Sequence, residues 1–201
     1  RISYEVGMKG AFFERKLTAN LAAYYINWED IQVQANRLSD QAQFATNIGK
    51  AVSQGLEFEI GYLPGNGFSL FANGSISDTE ITDLTDEEAA ISGAEARYDF
   101  GIGDKDAFVT TTAAYVGDFP GMLPNVPGQP GVPAATFDYT EAYTVVNAQA
   151  GISKNDWKVI AYVENLFDDS SITYVCSADF LDSRYARVRP QTVGVRVSYE
   201  Y

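Results

Sequence analysis

The stretch RPQTVGVRVSYEY, residues 189–201, alternates from Thr192 onward. Val193, Val195, Val197, Tyr199 and Tyr201 fall on one side of an extended chain; Thr192, Gly194, Arg196, Ser198 and Glu200 fall on the other. A helix would scatter these residues around its axis, whereas a strand sends successive side chains to opposite faces. The segment therefore reads as a strand with one apolar and one polar face. Further toward the N-terminus the same pattern returns. Ile2, Tyr4, Val6 and Met8 alternate with Ser3, Glu5, Gly7 and Lys9, and Gln54, Leu56, Phe58, Ile60 and Tyr62 alternate with Gly55, Glu57, Glu59 and Gly61.

Extending this reading gives about nine strands, near 2–12, 17–33, 44–63, 67–82, 93–102, 106–117, 141–153, 157–167 and 188–201. The fifth competes with a short helix over Ala89–Arg97. Short turns are expected at Phe13–Lys16, Pro64–Gly67, Gly103–Asp106 and Lys154–Asp156, where turn formers or charges gather. Longer polar connections fall near 35–43, 83–92, 118–140 and 168–187. Several strands exceed the five or six residues usual in a globular sheet. Long strands, one apolar face and alternately short and long connections are the signature of an antiparallel transmembrane β-barrel, with the apolar face toward lipid and the polar face toward the lumen. A soluble antiparallel sandwich also alternates and stays open as a reading at this point. Nine is an odd count, and single-chain bacterial barrels close with an even one, so a segment of a larger barrel is expected. A small self-contained barrel, acting as an anchor or adhesin, would need one strand more.

Composition narrows the function. The chain has 201 residues, with 27 acidic against 14 basic side chains and a net charge of −13, and no cluster of Lys or Arg stands out, so a nucleic-acid partner is not expected. It contains no histidine, the commonest general base and metal ligand. The single cysteine, Cys176, has no partner for a disulfide within these residues. Neither a cofactor nor a catalytic site is indicated, and no enzyme is expected. No apolar run reaches the roughly 18 residues that would suggest a spanning helix.

Four stretches together resemble a known family. YEVGMKGAFFERKLTANLAAYYINWEDIQVQ (4–34), NIGKAVSQGLEFEI (47–60), VENLFD (163–168) and RPQTVGVRVSYEY (189–201) occur in the order found in the C-terminal barrel of TonB-dependent outer-membrane receptors. The resemblance implies a barrel of about 22 strands filled by a plug domain, in the outer membrane of a Gram-negative bacterium. It implies uptake of a scarce large solute such as a ferric siderophore, cobalamin or an oligosaccharide. It also implies three partners: outer-membrane lipid, the barrel-assembly machinery, and the TonB energy-coupling complex acting through the plug. No plug and no energy-coupling box are present in residues 1–201, so transport would belong to a longer receptor to which these residues contribute wall and loops.

Specific residues carry expectations. Val193, Val195, Val197, Tyr199 and Tyr201 are candidates for the terminal assembly signal that the resemblance implies. Asn165, Leu166, Phe167 and Asp168 end the eighth strand: Trp157, Val159, Ala161 and Val163 would face lipid, Lys158, Ile160, Tyr162 and Glu164 the lumen, and the Asn165 side chain would bond nearby backbone where the ladder stops. Phe167 would sit in the interfacial aromatic zone. Phe119, Met122, Phe137 and Tyr139, in the Pro- and Gly-rich connection 118–140, are candidates for apolar ligand contacts. Asp78, Glu80, Asp83, Asp86, Glu87 and Glu88 supply oxygen ligands of the kind calcium takes, but lack EF-hand spacing and read as a solvated outer loop. Gly101-Ile102-Gly103 reads as a turn, without the third glycine of a dinucleotide fingerprint.

Overall fold

A computed structural model describes residues 2–29, 32–36, 43–47, 50–81, 85–119, 140–178 and 181–200. The described residues form strands and turns without a helix. The strands are β1 (Ile2–Phe12), β2 (Leu17–Glu29), β3 (Gln32–Asn36), β4 (Gln43–Asn47), β5 (Lys50–Tyr62), β6 (Phe68–Ile81) and β7 (Thr85–Ile102). They continue as β8 (Lys105–Val116), β9 (Tyr143–Lys154), β10 (Trp157–Glu164), β11 (Ile172–Ala178), β12 (Leu181–Arg187) and β13 (Thr192–Tyr199). Nine of them make one antiparallel sheet in the order β1-β2-β5-β6-β7-β8-β9-β10-β13. The others form two hairpins, β3 with β4 and β11 with β12, each rising from one end of the sheet.

Turn chemistry fixes the opposite end. Phe13, Glu14 and Arg15 take φ of 53°, 57° and 68°, and Lys16 donates to the Phe13 carbonyl at 3.1 Å. Gly67, at φ 84°, accepts from the Asp99 amide at 2.8 Å through its carbonyl, and a Cβ there would collide with the Asp99 carbonyl oxygen. Glycine is thus required at that position by both conformation and close approach. Asn155 turns β9 into β10 at φ 50°, a conformation that Asn tolerates.

Register then sorts the two faces. Ile2, Tyr4, Val6, Met8, Leu56, Val109, Val193, Val195 and Val197 share the outward face and are exposed, Val193 by 74% and Val195 by 67%. Near the short turns this face carries Phe12, Tyr62, Tyr98, Phe100, Trp157 and Tyr199; Trp157 and Tyr199 meet at 4.9 Å and Tyr98 stacks on Phe100 at 5.5 Å. Among the described residues the only buried hydrophobic side chains are Ala107 and Phe108. A sandwich would cover its apolar face with a second sheet; among the described residues no second sheet covers it. An exposed apolar band with an aromatic border fits lipid as its solvent, and the sandwich alternative falls.

The polar face is tightened by aromatic rings lying over glycines directly across the ladder. Tyr24 covers Gly55, Phe108 covers Gly151 and Tyr162 covers Gly194. A Cβ on Gly194 would sit 2.5 Å from the Tyr162 hydroxyl, so each glycine makes room for its ring.

The architecture agrees with the nine-strand expectation and corrects its details. The fifth sheet strand is β7, which begins at Thr85 instead of residue 93, and no helix forms over Ala89–Arg97. The expected loop 83–92 is mostly ladder: Thr85, Asp86, Glu87 and Glu88 pair with Ile81, Glu80, Thr79 and Asp78. The acidic residues are poor strand formers, but pairing with the neighbouring strand decides the outcome. Asp83 lies outside the described residues, and among the described residues no three potential metal ligands converge. The connection expected at 168–187 contains the β11–β12 hairpin, whereas β3 and β4 take in the outer ends of the expected strands 17–33 and 44–63, which pair with each other apart from the nine-stranded sheet.

Candidate functional site

At the end of the sheet away from the tight turns, the Asn-Leu-Phe-Asp segment forms a knot of hydrogen bonds. Asn165 is only 3% exposed and sits at φ 51°; Asp168, at φ 52°, donates its amide to the Asn165 carbonyl at 3.0 Å, closing a tight turn. The Asn165 side chain uses every group it has. Its Nδ2 donates to the carbonyls of Asp169 and Arg189, both at 2.8 Å, and its Oδ1 accepts from the Asp169 amide at 3.0 Å. Its backbone N–H donates to Asn147 Oδ1 at 2.9 Å, and Asn147 in turn donates to Thr112 at 3.3 Å. Asp168 Oδ1 accepts from the Gln191 amide at 2.9 Å, while Gln191 Nε2 donates to the Leu166 carbonyl at 2.7 Å. The knot thus spans β8, β9, the end of β10 and the approach to β13.

The neighbouring excursion is closed in a related way. Phe119 donates its amide to the Thr140 hydroxyl at 2.9 Å, and that hydroxyl donates to the Phe119 carbonyl at 3.0 Å. Glu141 and Ile172 then tie the two excursions together, amide to carbonyl at 2.9 Å and amide to carboxylate at 2.8 Å. The Asp169 carboxyl is held below the usual range, first by hydrogen bonding with the Ser171 side chain and then by its backbone amide. Its charged form is therefore fully present at neutral pH, and the stabilisation is lost only as pH falls through that lowered value.

Two cavities lie beside this rim. One, of about 520 Å³, is bounded by Tyr143, Glu164, Thr173, Arg187, Arg189 and Pro190. Arg187 donates to the Ser170 carbonyl at 2.8 Å, and Arg189 stands 3.7 Å from Glu164. The other, of about 250 Å³, runs down the polar face past Thr110, Thr112, Gln149, Tyr162, Glu164 and Arg196. Deeper on the same face Arg97 makes a two-pronged contact with Asp99 at 2.8 and 2.6 Å and lies 4.0 Å above the Phe108 ring, which Lys158 also approaches, at 5.5 Å. The surface is thus polar and charged, and suits contact with water and a hydrated solute or domain.

The sequence-derived candidates separate on this map. Asn165 and Asp168 are at the centre of the knot, while Leu166 and Phe167 point away, Phe167 exposed by 72%. Val193, Val195, Val197 and Tyr199 line up on the outward face of β13, and Tyr201 is outside the described residues. Phe119 stands at the foot of its connection. Met122, Phe137 and Tyr139 lie outside the described residues. Asn147, Thr140 and Gln191 escaped the sequence reading. Asn147 is one polar residue among many in a strand, and only register brings it to Asn165.

The TonB dependent receptor-like, beta-barrel family profile matches residues 2–166. Among solved structures, the ferric yersiniabactin uptake receptor FyuA of Yersinia pestis superposes with a TM-score of 0.74 at 19% identity, covering 99% of this chain and 29% of that one. The ferric-catecholate import receptor Fiu of E. coli K12 gives 0.74 at 18% identity, covering 99% and 27%. The pyoverdine outer membrane receptor FpvA of Pseudomonas aeruginosa PAO1 gives 0.73 at 18% identity, covering 99% and 29%. The chain spans under a third of the length of each of these proteins.

Proposed function

The chain belongs to the TonB-dependent receptor family of outer-membrane β-barrels, and on that premise we propose that it supplies the C-terminal wall and part of the outer mouth of an energy-coupled receptor for a scarce large solute. A ferric siderophore is the favoured solute, ahead of cobalamin or an oligosaccharide, because similar structures include receptors described as taking ferric yersiniabactin, ferric catecholates and pyoverdine. The observation that carries the reading is the two-faced sheet, with an uncovered apolar band outside and a polar face ending in the rim cavity of about 520 Å³. Arg187 and Tyr143 give that cavity a cation and an aromatic ring, with Arg189 beside Glu164 at its edge, a set suited to an anionic, ring-bearing chelate. In this reading the outward residues of β13 present the assembly signal, the outward face meets outer-membrane lipid, and TonB engages a plug domain of the longer receptor.

Two measurements test this. The intact receptor, expressed in a strain lacking its own siderophore receptors, is expected to import radioiron from at least one siderophore, and only when TonB and the proton-motive force are present. Uptake of cobalamin or an oligosaccharide with no iron uptake would overturn the choice of solute. Orientation is checked with single cysteines in a Cys176→Ser background. Ser170→Cys at the rim is expected to react with a membrane-impermeant thiol reagent on whole cells, and Asn66→Cys at a tight turn only after lysis. The reverse pattern would place the rim inside.

A further inference from the structure

We propose that Asn165 is a positioning residue that pins both feet of the last long rim excursion with one amide group, holding the start of β13 in register independently of what the excursion does. The excursion leaves the sheet at Asp169 and returns at Arg189, and Asn165 Nδ2 donates one hydrogen to each of those carbonyls at 2.8 Å. Between the feet lies the β11–β12 hairpin, whose two strands ladder with each other and, among the described residues, with no strand of the large sheet. Inside the feet, Val188 donates to the Ser171 carbonyl at 3.0 Å and Arg187 to the Ser170 carbonyl at 2.8 Å, so the base is zipped from Asn165 outward.

The pinning faces a definite opposing cost. Closing a long excursion loses chain entropy, and that cost falls when the excursion is shortened. The register of β13 on β10 begins at Glu164↔Thr192, immediately past the feet, so anything that lets the feet part frays this end of the ladder first. The buried Thr140 clip on the Phe119 connection is a second instance of the same device. The Glu141–Ile172 contacts couple the two into one platform. The excursions that face the solute can then vary while the wall beneath them stays fixed.

The test uses the intact receptor in detergent and hydrogen exchange read by mass spectrometry. Asn165→Gly is the informative variant, since glycine accepts the left-handed φ and only the amide is lost. Exchange at 189–195 is expected to speed up about tenfold, a modest part of what losing the three side-chain hydrogen bonds can cost, while 105–110 at the base of β8 stays unchanged. Replacing residues 172–187 by Gly-Gly turns the excursion into a hairpin closed by the Val188–Ser171 bond. In that background Asn165→Gly is expected to change exchange at 189–195 less than twofold, because a short connection holds its own feet. If Asn165→Gly with the native excursion fails to assemble, the shortened version must assemble. Unchanged exchange in the first variant, or an effect or assembly failure that the short connection does not relieve, overturns the pinning role.

Discussion

Val195→Arg is expected to destabilise the folded receptor in lipid by about 2–4 kcal/mol, whereas Ser198→Arg costs about 1 kcal/mol or less. The two positions lie on the same strand and differ in face. Val195 pairs with Ala161 near the middle of β10 and is exposed on the outward face, so with that face against lipid, as proposed, an arginine there would have only hydrocarbon around it. Ser198 sits opposite Lys158 on the polar face, beside native Arg196, whose guanidinium lies 5.7 Å from the Tyr162 ring. A charge already resides there without penalty from lipid. Depth is controlled by Val197→Arg, one residue from Ser198 and on the outward face, which is expected to cost more than Ser198→Arg. Unfolding titrations of the intact receptor in vesicles give the three values. Equal costs at Val195 and Ser198 would mean that the outward face does not meet lipid.

That contrast rests on what the sequence made readable. Strand positions and faces follow from a period of two, which needs no knowledge of partners, and the outward residues of β1, β5, β10 and β13 were assigned correctly from alternation alone. The start of β7 was not readable. Asp86, Glu87 and Glu88 have low strand propensity and Ala89–Arg97 suits a helix, yet β6 offers a continuous ladder that extends the strand to Thr85. The knot at Asn165 was half readable. An Asn at a strand end announces a side chain that bonds backbone, but one of its partners, the Arg189 carbonyl, lies 24 residues away, and the Asn147 side chain that accepts from the Asn165 backbone N–H lies on the preceding strand. Likewise, nothing local tells that Tyr24, Phe108 and Tyr162 will each find a glycine opposite. Those facts belong to register, and register is set by the whole sheet.

Residues 1–201 expressed alone are expected not to fold to a closed, monodisperse barrel. Among the described residues β1 pairs only with β2 and β13 only with β10, leaving two edges of the sheet without partners. The edges do not complement each other. β1 runs from the rim toward the tight turn at Phe13–Lys16, and β13 also runs away from the rim, so closing β1 on β13 would need a parallel pair in a sheet otherwise wholly antiparallel. In lipid each unpaired amide or carbonyl costs several kcal/mol. Even a few along each edge exceed the net stability of about 5–15 kcal/mol typical of a folded protein. In water the same edges, together with the uncovered Val193, Val195 and Val197, favour aggregation. Refolding into detergent should therefore give heterogeneous species without a heat-modifiable band on gels, and co-expression with the strands that neighbour β1 and β13 in the intact receptor should restore it. A heat-modifiable monomer from residues 1–201 alone would mean that the edges do meet, and would return the small self-contained barrel to first place.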